Sequence, residues 1–181
     1  MKVNLQKGTV AMETIFSECG EHRYILKKSF TSDKKELNKG KLIFFLLNPS
    51  FADELLMDKA NRIASNIAIK RNFKELVILN LFSVITENSK YPLERQSKSK
   101  YEENDYYIKK ELKSGDEIII GWGTDKKYIR RKEQVRKIIK NNFKDLNNVL
   151  SIKYEENNPA HISYYISDNT ENYEIVPYQI K

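Results

Sequence analysis

Apolar and polar positions along this chain fall into blocks of two kinds. Continuous apolar runs occur at Lys41–Leu47 (KLIFFLL), Glu75–Asn80 (ELVILN) and Glu117–Trp122 (EIIIGW). A run without alternation is the pattern of a strand covered on both faces, as in a parallel sheet. Asn148–Lys153 predicts a fourth strand. Between these runs the spacing turns helical. Asp58 suits an N-cap, and Ile63, Ala64, Ile67 and Ala68 behind it share one face. Tyr101–Leu112 reads as a helix, and Lys126–Asn142 as a basic amphipathic helix that packs through Ile129, Val135, Ile138 and Ile139. Ahead of them, Thr9–Phe16 and His22–Phe30 read as two strands around a turn at Glu18–Glu21, a short N-terminal β-hairpin.

Strands alternating with helices imply right-handed crossovers. The expected fold class is α/β, a three-layer α/β/α sandwich on a central, mainly parallel sheet. With 181 residues and neither repeat nor linker, one domain spanning 1–181 is expected. Such sheets bind ligands beyond the carboxyl ends of their strands. That rule gathers Asn48-Pro49-Ser50, Asn80-Leu81-Phe82, Trp122-Gly123 and the loop around His161 at one rim. The least ordinary polar residues follow directly after the most apolar runs.

Composition removes several classes of chemistry. Hydrophobic residues at 40% and aromatics at 11% exceed what a disordered chain carries. One cysteine, Cys19, excludes an internal disulfide, and with two histidines it falls short of a four-ligand cysteine–histidine zinc site. Six glycines form neither GxxxxGK nor GxGxxG, so no phosphate-cradling loop is present. No stretch approaches the roughly 18 apolar residues of a membrane span, and Met1–Val10 lacks the apolar core of a signal peptide. A cytoplasmic monomer without metal or cofactor is expected. The 32 basic against 25 acidic residues leave a net charge of +7, the electrostatic footprint of a nucleic-acid binder. The same lysine-rich composition also follows from an AT-rich genome.

His22-Arg23-Tyr24, Leu47-Asn48-Pro49-Ser50 with Ala52-Asp53, Asn80-Leu81-Phe82, Glu103-Asn104-Asp105, Trp122-Gly123 and His161 stand in this order. The set resembles a prokaryotic and phage family catalogued as domain-of-unknown-function family 1643, over roughly residues 15 to 166. Phe51 stands where that family usually has threonine, and Ile162 where it has proline. A more distant resemblance is to the uracil-DNA glycosylase superfamily. Leu46-Leu47-Asn48-Pro49-Ser50 looks like its first motif, Val77–Asn80 like the strand ending in a base-reading Asn, Ile119–Gly123 like its third strand, and Ala160-His161-Ile162-Ser163 like an altered histidine motif.

That resemblance implies a monofunctional DNA glycosylase, which hydrolyses the N-glycosidic bond of a flipped-out pyrimidine and leaves an abasic site. Asn48 and His161 are then catalytic: Asn48 holds the attacking water, and His161 donates a hydrogen bond to the departing base. Asn80 reads the base edge, Phe51 stacks on the base, and Ser50 lies at its C5 edge. Strict uracil enzymes have a tyrosine there that excludes 5-substituted pyrimidines. A serine leaves the edge open, which points to a 5-modified cytosine, for example glucosylated hydroxymethylcytosine in phage DNA, removed as antiviral defence. Ser163, Tyr164, Tyr165, Arg130 and Arg131 are the candidate DNA contacts.

Plainer readings stand beside each of these. Asn48 suits a turn opener, Asn80 a strand-end cap, Phe82 and Trp122 the core, and His161 a surface loop. Asp53, Glu54 and Asp58 suit a helix N-terminus better than a metal. Arg130-Arg131-Lys132 suits a solvated helix face, and the turn around Cys19 offers nothing that would depress its pKa. The competing functions are a non-catalytic nucleic-acid or nucleotide-binding module of the same fold, a uracil repair glycosylase, and a hydrolase of free nucleosides or nucleotides. The last would need no basic rim.

Overall fold

The computed structural model describes residues 3–51, 57–86, 98–153, 159, 161–162 and 173–180. In chain order they form β1 (Gly8–Phe16), β2 (Arg23–Ser32), β3 (Lys39–Leu46), α1 (Lys59–Lys70), β4 (Phe73–Asn80), α2 (Lys98–Leu112), β5 (Glu117–Ile120), α3 (Ile129–Asn142), β6 (Val149–Ile152) and β7 (Ile175–Pro177). The strands make one sheet in the order β1-β2-β4-β3-β5-β6-β7.

The apolar runs explain the centre of this sheet. Ile43 and Phe45 of β3, Val77 and Leu79 of β4, and Ile118 and Ile120 of β5 pack beneath Ile108 and Leu112 of α2 and Val135 and Ile139 of α3. Their alternates Leu42, Phe44, Leu76, Ile78 and Ile119 face Ile63, Ala64, Ile67 and Ala68 of α1. Helices therefore cover both faces, and each central strand is apolar on both sides. Asp58 caps α1 as its sequence position suggests, accepting from the Asn61 N–H at 2.7 Å. Asn72, at φ 68°, ends the helix in the left-handed conformation that asparagine tolerates.

The expected mainly parallel sheet is corrected to a mixed one. β4, β3, β5 and β6 run parallel, but β1–β2, β2–β4 and β6–β7 are antiparallel. The cause is connection length. The turn between β1 and β2 and the connection 33–38 between β2 and β3 are both too short for the dozen or more residues of a parallel crossover. β2 therefore runs against β1 and against β3, and so against β4, which the α1 crossover sets parallel to β3. The N-terminal hairpin is thus part of the main sheet. β7 was not foreseen from the pattern. In α3 the expected packing face also shifts: Ile129 is exposed, and Arg131 and Lys132 are buried in its place.

Candidate functional site

Hydrogen bonding continues past the ends of the parallel strands and draws four segments together. Leu46 is in register with Asn80. Beyond them, Leu81 N–H donates to Leu46 O (3.0 Å), Phe82 N–H to Leu47 O (3.0 Å) and Gly121 N–H to Phe45 O (2.8 Å). Trp122 bridges to His161. Gly123 follows at φ +81°, and a Cβ there would lie 3.2 Å from the His161 Cβ, so close approach and backbone conformation both require glycine. The rim predicted from the motifs is formed by these four segments.

At the rim, Asn48 donates both amide hydrogens, to Pro49 O (3.0 Å) and Thr86 O (2.7 Å). Its Nδ2 clamps the loop after β3, and its Oδ1 is the polar atom left to hold a water. Asn80 is buried and its Oδ1 has no hydrogen-bond partner. Strand alternation puts Asn80 on the face of Ile78, toward α1. His161 is partly buried, and burial pushes its pKa down to about 4, opposed by the Asp58 carboxylate. Ser50 donates to Asp58 Oδ2. Phe51 is 68% exposed, an aromatic ring standing free at the rim.

The two arginines separate. Arg130 is exposed on α3. Arg131 is 3% exposed and spends its guanidinium internally, on Leu81 O (2.7 Å) and Asp105 Oδ1 (2.6 Å), over the Tyr101 ring. Together with Asn104, whose Nδ2 donates to Asn80 O (3.1 Å) and Leu81 O (3.2 Å), it fixes the backbone that carries Asn80. Arg131 is thus placed as a support for the rim, away from solvent phosphate. Ser163, Tyr164 and Tyr165 lie outside the described residues, as do Asp53 and Glu54. Phe82 and Trp122 are core residues, as expected. Cys19 departs from expectation: the Ser17 hydroxyl 3.2 Å away lowers its pKa, although the thiol is exposed.

The motifs missed a second set of polar residues under α1. Lys28 is 1% exposed and donates to Ser65 Oγ (2.9 Å) and Met57 Sδ (3.1 Å). Burial pushes its pKa down to about 8, with the Asp58 charge opposing and Arg23 adding to the effect. Asn61 is buried with both side-chain polar atoms unpaired. A signal existed: Leu26, Lys28 and Phe30 alternate, which puts a lysine on an apolar face. Among the described residues no group of three or more His, Cys, Asp or Glu is placed to hold a metal ion, and no helix is long and apolar enough to cross a membrane.

Fold and rim together define a mixed α/β protein with a polar site at the carboxyl ends of its parallel strands. The chain belongs to the family described as protein of unknown function (DUF1643), whose model matches residues 23–161, from Arg23 in β2 to His161 at the rim. No curated protein and no solved structure matches the chain.

Proposed function

We propose that this protein is a monofunctional DNA glycosylase acting on a flipped-out pyrimidine. The observation that carries the reading is Asn80, buried at the rim with an unpaired Oδ1. A buried amide oxygen without a partner costs about 1–3 kcal/mol, and a ligand's N–H group removes that cost. The exocyclic amino group of cytosine is such a donor.

The remaining chemistry follows from protonation and geometry. His161, neutral at pH 7 because its pKa is about 4, donates one ring N–H to the base carbonyl. A neutral donor still supplies oxyanion-type stabilisation in a water-excluded site. Asn48 Oδ1 accepts from the attacking water. An amide takes no proton, so it positions the water and makes a slower enzyme than a carboxylate would. Phe51 stacks on the base. Ser50, small and held against Asp58, leaves the C5 edge open to a hydroxymethyl or glucosylated substituent. That favours a 5-modified cytosine in phage DNA as substrate and antiviral defence as the role, carried out in the cytoplasm.

Charge placement supports a DNA partner over a free nucleoside. A cavity of about 630 Å³ beside Trp122 and Gly123 is bordered by exposed Lys126 and by Lys132 and Arg136, which are spent on the Gly123 and Asp125 carbonyls and the Tyr178 hydroxyl, and Arg130 is exposed on the helix that follows. At the other end of the sheet the cations are paired within the protein: Lys41 with Glu111, Arg71 with Glu117, Lys144 with Asp116. The clamp that Asn48 makes on its own loop favours one second reading, a non-catalytic nucleic-acid-binding module.

The test is incubation with duplex and single-stranded DNAs carrying uracil, thymine, 5-hydroxymethylcytosine or glucosylated 5-hydroxymethylcytosine, followed by alkaline cleavage at abasic sites. Cleavage at a 5-modified cytosine is expected. Binding to all of these DNAs with no abasic site in any would leave the binding module as the function.

A further inference from the structure

The glycosylase reading uses Asn48, Asn80 and His161 and leaves the buried polar atoms beneath α1 without a role. Lys28 is the most conspicuous. Its ammonium carries three protons; two go to a hydroxyl and a thioether, neither of them charged. Burying a cation is unfavourable, and the Asp58 charge offsets that cost only in part, so a further partner would stabilise it. Met57 precedes the Asp58 cap, so the contact with Met57 carries the ammonium toward the rim end of α1. One turn before Ser65, the Asn61 backbone oxygen accepts the Ser65 hydroxyl (2.8 Å), while the Asn61 side chain has neither donor nor acceptor satisfied. Asn80 adds its unpaired Oδ1 from the sheet on the same face. Three amide atoms and one ammonium proton thus have no hydrogen-bond partner among the described residues on this face of the sheet, in an otherwise apolar layer.

We propose that Lys28 and Asn61 complete the base pocket: Lys28 is the cation that stabilises the departing base, and Asn61 is a second reader of its polar edge. The inference rests on the glycosylase reading above. In the reaction, the water oxygen bonds to C1′ and the glycosidic C1′–N bond breaks. Its electron pair leaves with the base, and the proton released by the water neutralises the base anion. Negative charge collects on the base carbonyl before that proton arrives, and there a full positive charge in a dry pocket is worth more than the neutral His161 donor alone. The cation offsets in the transition state what its burial costs in the free protein. The ligand class that fits one cation, one acceptor and one amide offering both is a pyrimidine with a carbonyl and an amino group.

Two measurements test this. The first is single-turnover base release and DNA affinity for Lys28→Met, Lys28→Arg and Asn61→Leu, on whichever DNA of the panel the unaltered protein cleaves. Lys28→Met is expected to slow release at least 100-fold with DNA Kd within threefold, and Lys28→Arg to recover part of that loss. Release by Lys28→Met at the unaltered rate overturns the proposal. The second is the lysine Nζ NMR signal of the unaltered protein during titration with free cytosine and 5-hydroxymethylcytosine. The Lys28 signal is expected to shift. A shift with no base released from any DNA would overturn the glycosylase reading and keep the base site. Release without a shift, with Lys28→Met fully active, would overturn the base-site assignment alone, and neither release nor shift would overturn both.

Discussion

The Ser50 hydroxyl donates to Oδ2 of Asp58, fastening the loop after β3 to the first turn of α1. Through Oδ1 the same carboxylate accepts the Asn61 N–H at 2.7 Å, and its charge acts on both Lys28 and His161. A residue that reads in sequence as a plain helix cap is therefore the junction of the rim. Asp58→Ala should cost about 1–2 kcal/mol from the lost cap, read by urea unfolding. Asp58→Asn keeps most of the cap and removes the charge. Since that charge raises the His161 pKa, this variant should titrate His161 still lower, as imidazole NMR shifts would report. An unchanged or higher value would remove Asp58 from the electrostatics of the rim.

Asn48→Asp is the substitution that a glycosylase mechanism first suggests, because a carboxylate activates water where an amide only holds it. The local geometry argues against a gain. The Asn48 amide donates to two backbone carbonyls, and an aspartate would turn acceptor oxygens toward both. Asn48→Asp should lose about 1–3 kcal/mol of stability and gain no rate, and Asn48→Ala should release no base while still binding DNA. A faster Asn48→Asp enzyme of native stability would show that the loop clamp is dispensable.

Neighbouring arginines should behave oppositely. Arg131→Ala leaves the Asp105 carboxylate without its partner and the Leu81 carbonyl with Asn104 alone, and should cost about 3–5 kcal/mol. Arg130→Ala, on the exposed side of α3, should leave stability within about 0.5 kcal/mol and, if DNA passes there, flatten the salt dependence of binding by about one unit of slope. Thermal unfolding and binding at several salt concentrations separate the two. Equal stability of the two variants would contradict the buried role of Arg131.

How much of this was legible follows from where the information lies. The unbroken run Leu42–Leu47 announces β3 because a strand covered by helices on both faces has no polar side. The rim was legible for the same reason: Asn48, Asn80 and Trp122-Gly123 stand where such runs stop. Pairing partners were not. Nothing within Arg23–Ser32 states that its free edge meets β4, since that contact spans some fifty residues of chain. Lys28 was hidden by its neighbour: Lys27 faces outward to Glu75 (3.5 Å), and a Lys-Lys pair looks like surface until the period of two is imposed. Arg131 was misplaced likewise, because a basic run on a helix says nothing of the Asp105 that waits on α2.

Ser50 carries the prediction on base choice. Its side chain is held by Asp58, so the C5 edge of a bound pyrimidine meets a small, fixed group. Ser50→Tyr should place a ring there and turn preference away from glucosylated or hydroxymethylated cytosine toward unsubstituted bases, by at least tenfold in relative rate. Equal rates of release on both classes by Ser50→Tyr would remove this residue from the pocket.

His161 gives the protein a pH dependence that its carboxylates do not share. Its folded pKa, about 4, lies below the ordinary 6.5 because burial disfavours the cation. Above pH 6.5 the imidazole is neutral in both the folded and unfolded chain, and it contributes no slope. Below 6.5 the unfolded chain takes up a proton that the folded chain refuses, so stability falls as the pH drops and levels off below about 4. The full loss is up to about 3 kcal/mol. Glu103 and Asp116, whose pKa values are lowered by hydrogen bonds from Tyr24 and Lys144 respectively, lose their contributions at pH below their ordinary 4.5 and 3.8. The interval between 6.5 and 4.5 therefore separates the histidine from those two acids. His161→Gln should be markedly less sensitive to acid across that interval in urea unfolding measured at half-unit steps, while matching the unaltered protein more closely at pH 8. A variant that follows the unaltered protein at every pH would show that His161 is solvated, and would also remove the neutral hydrogen-bond donor on which the proposed chemistry at the rim depends.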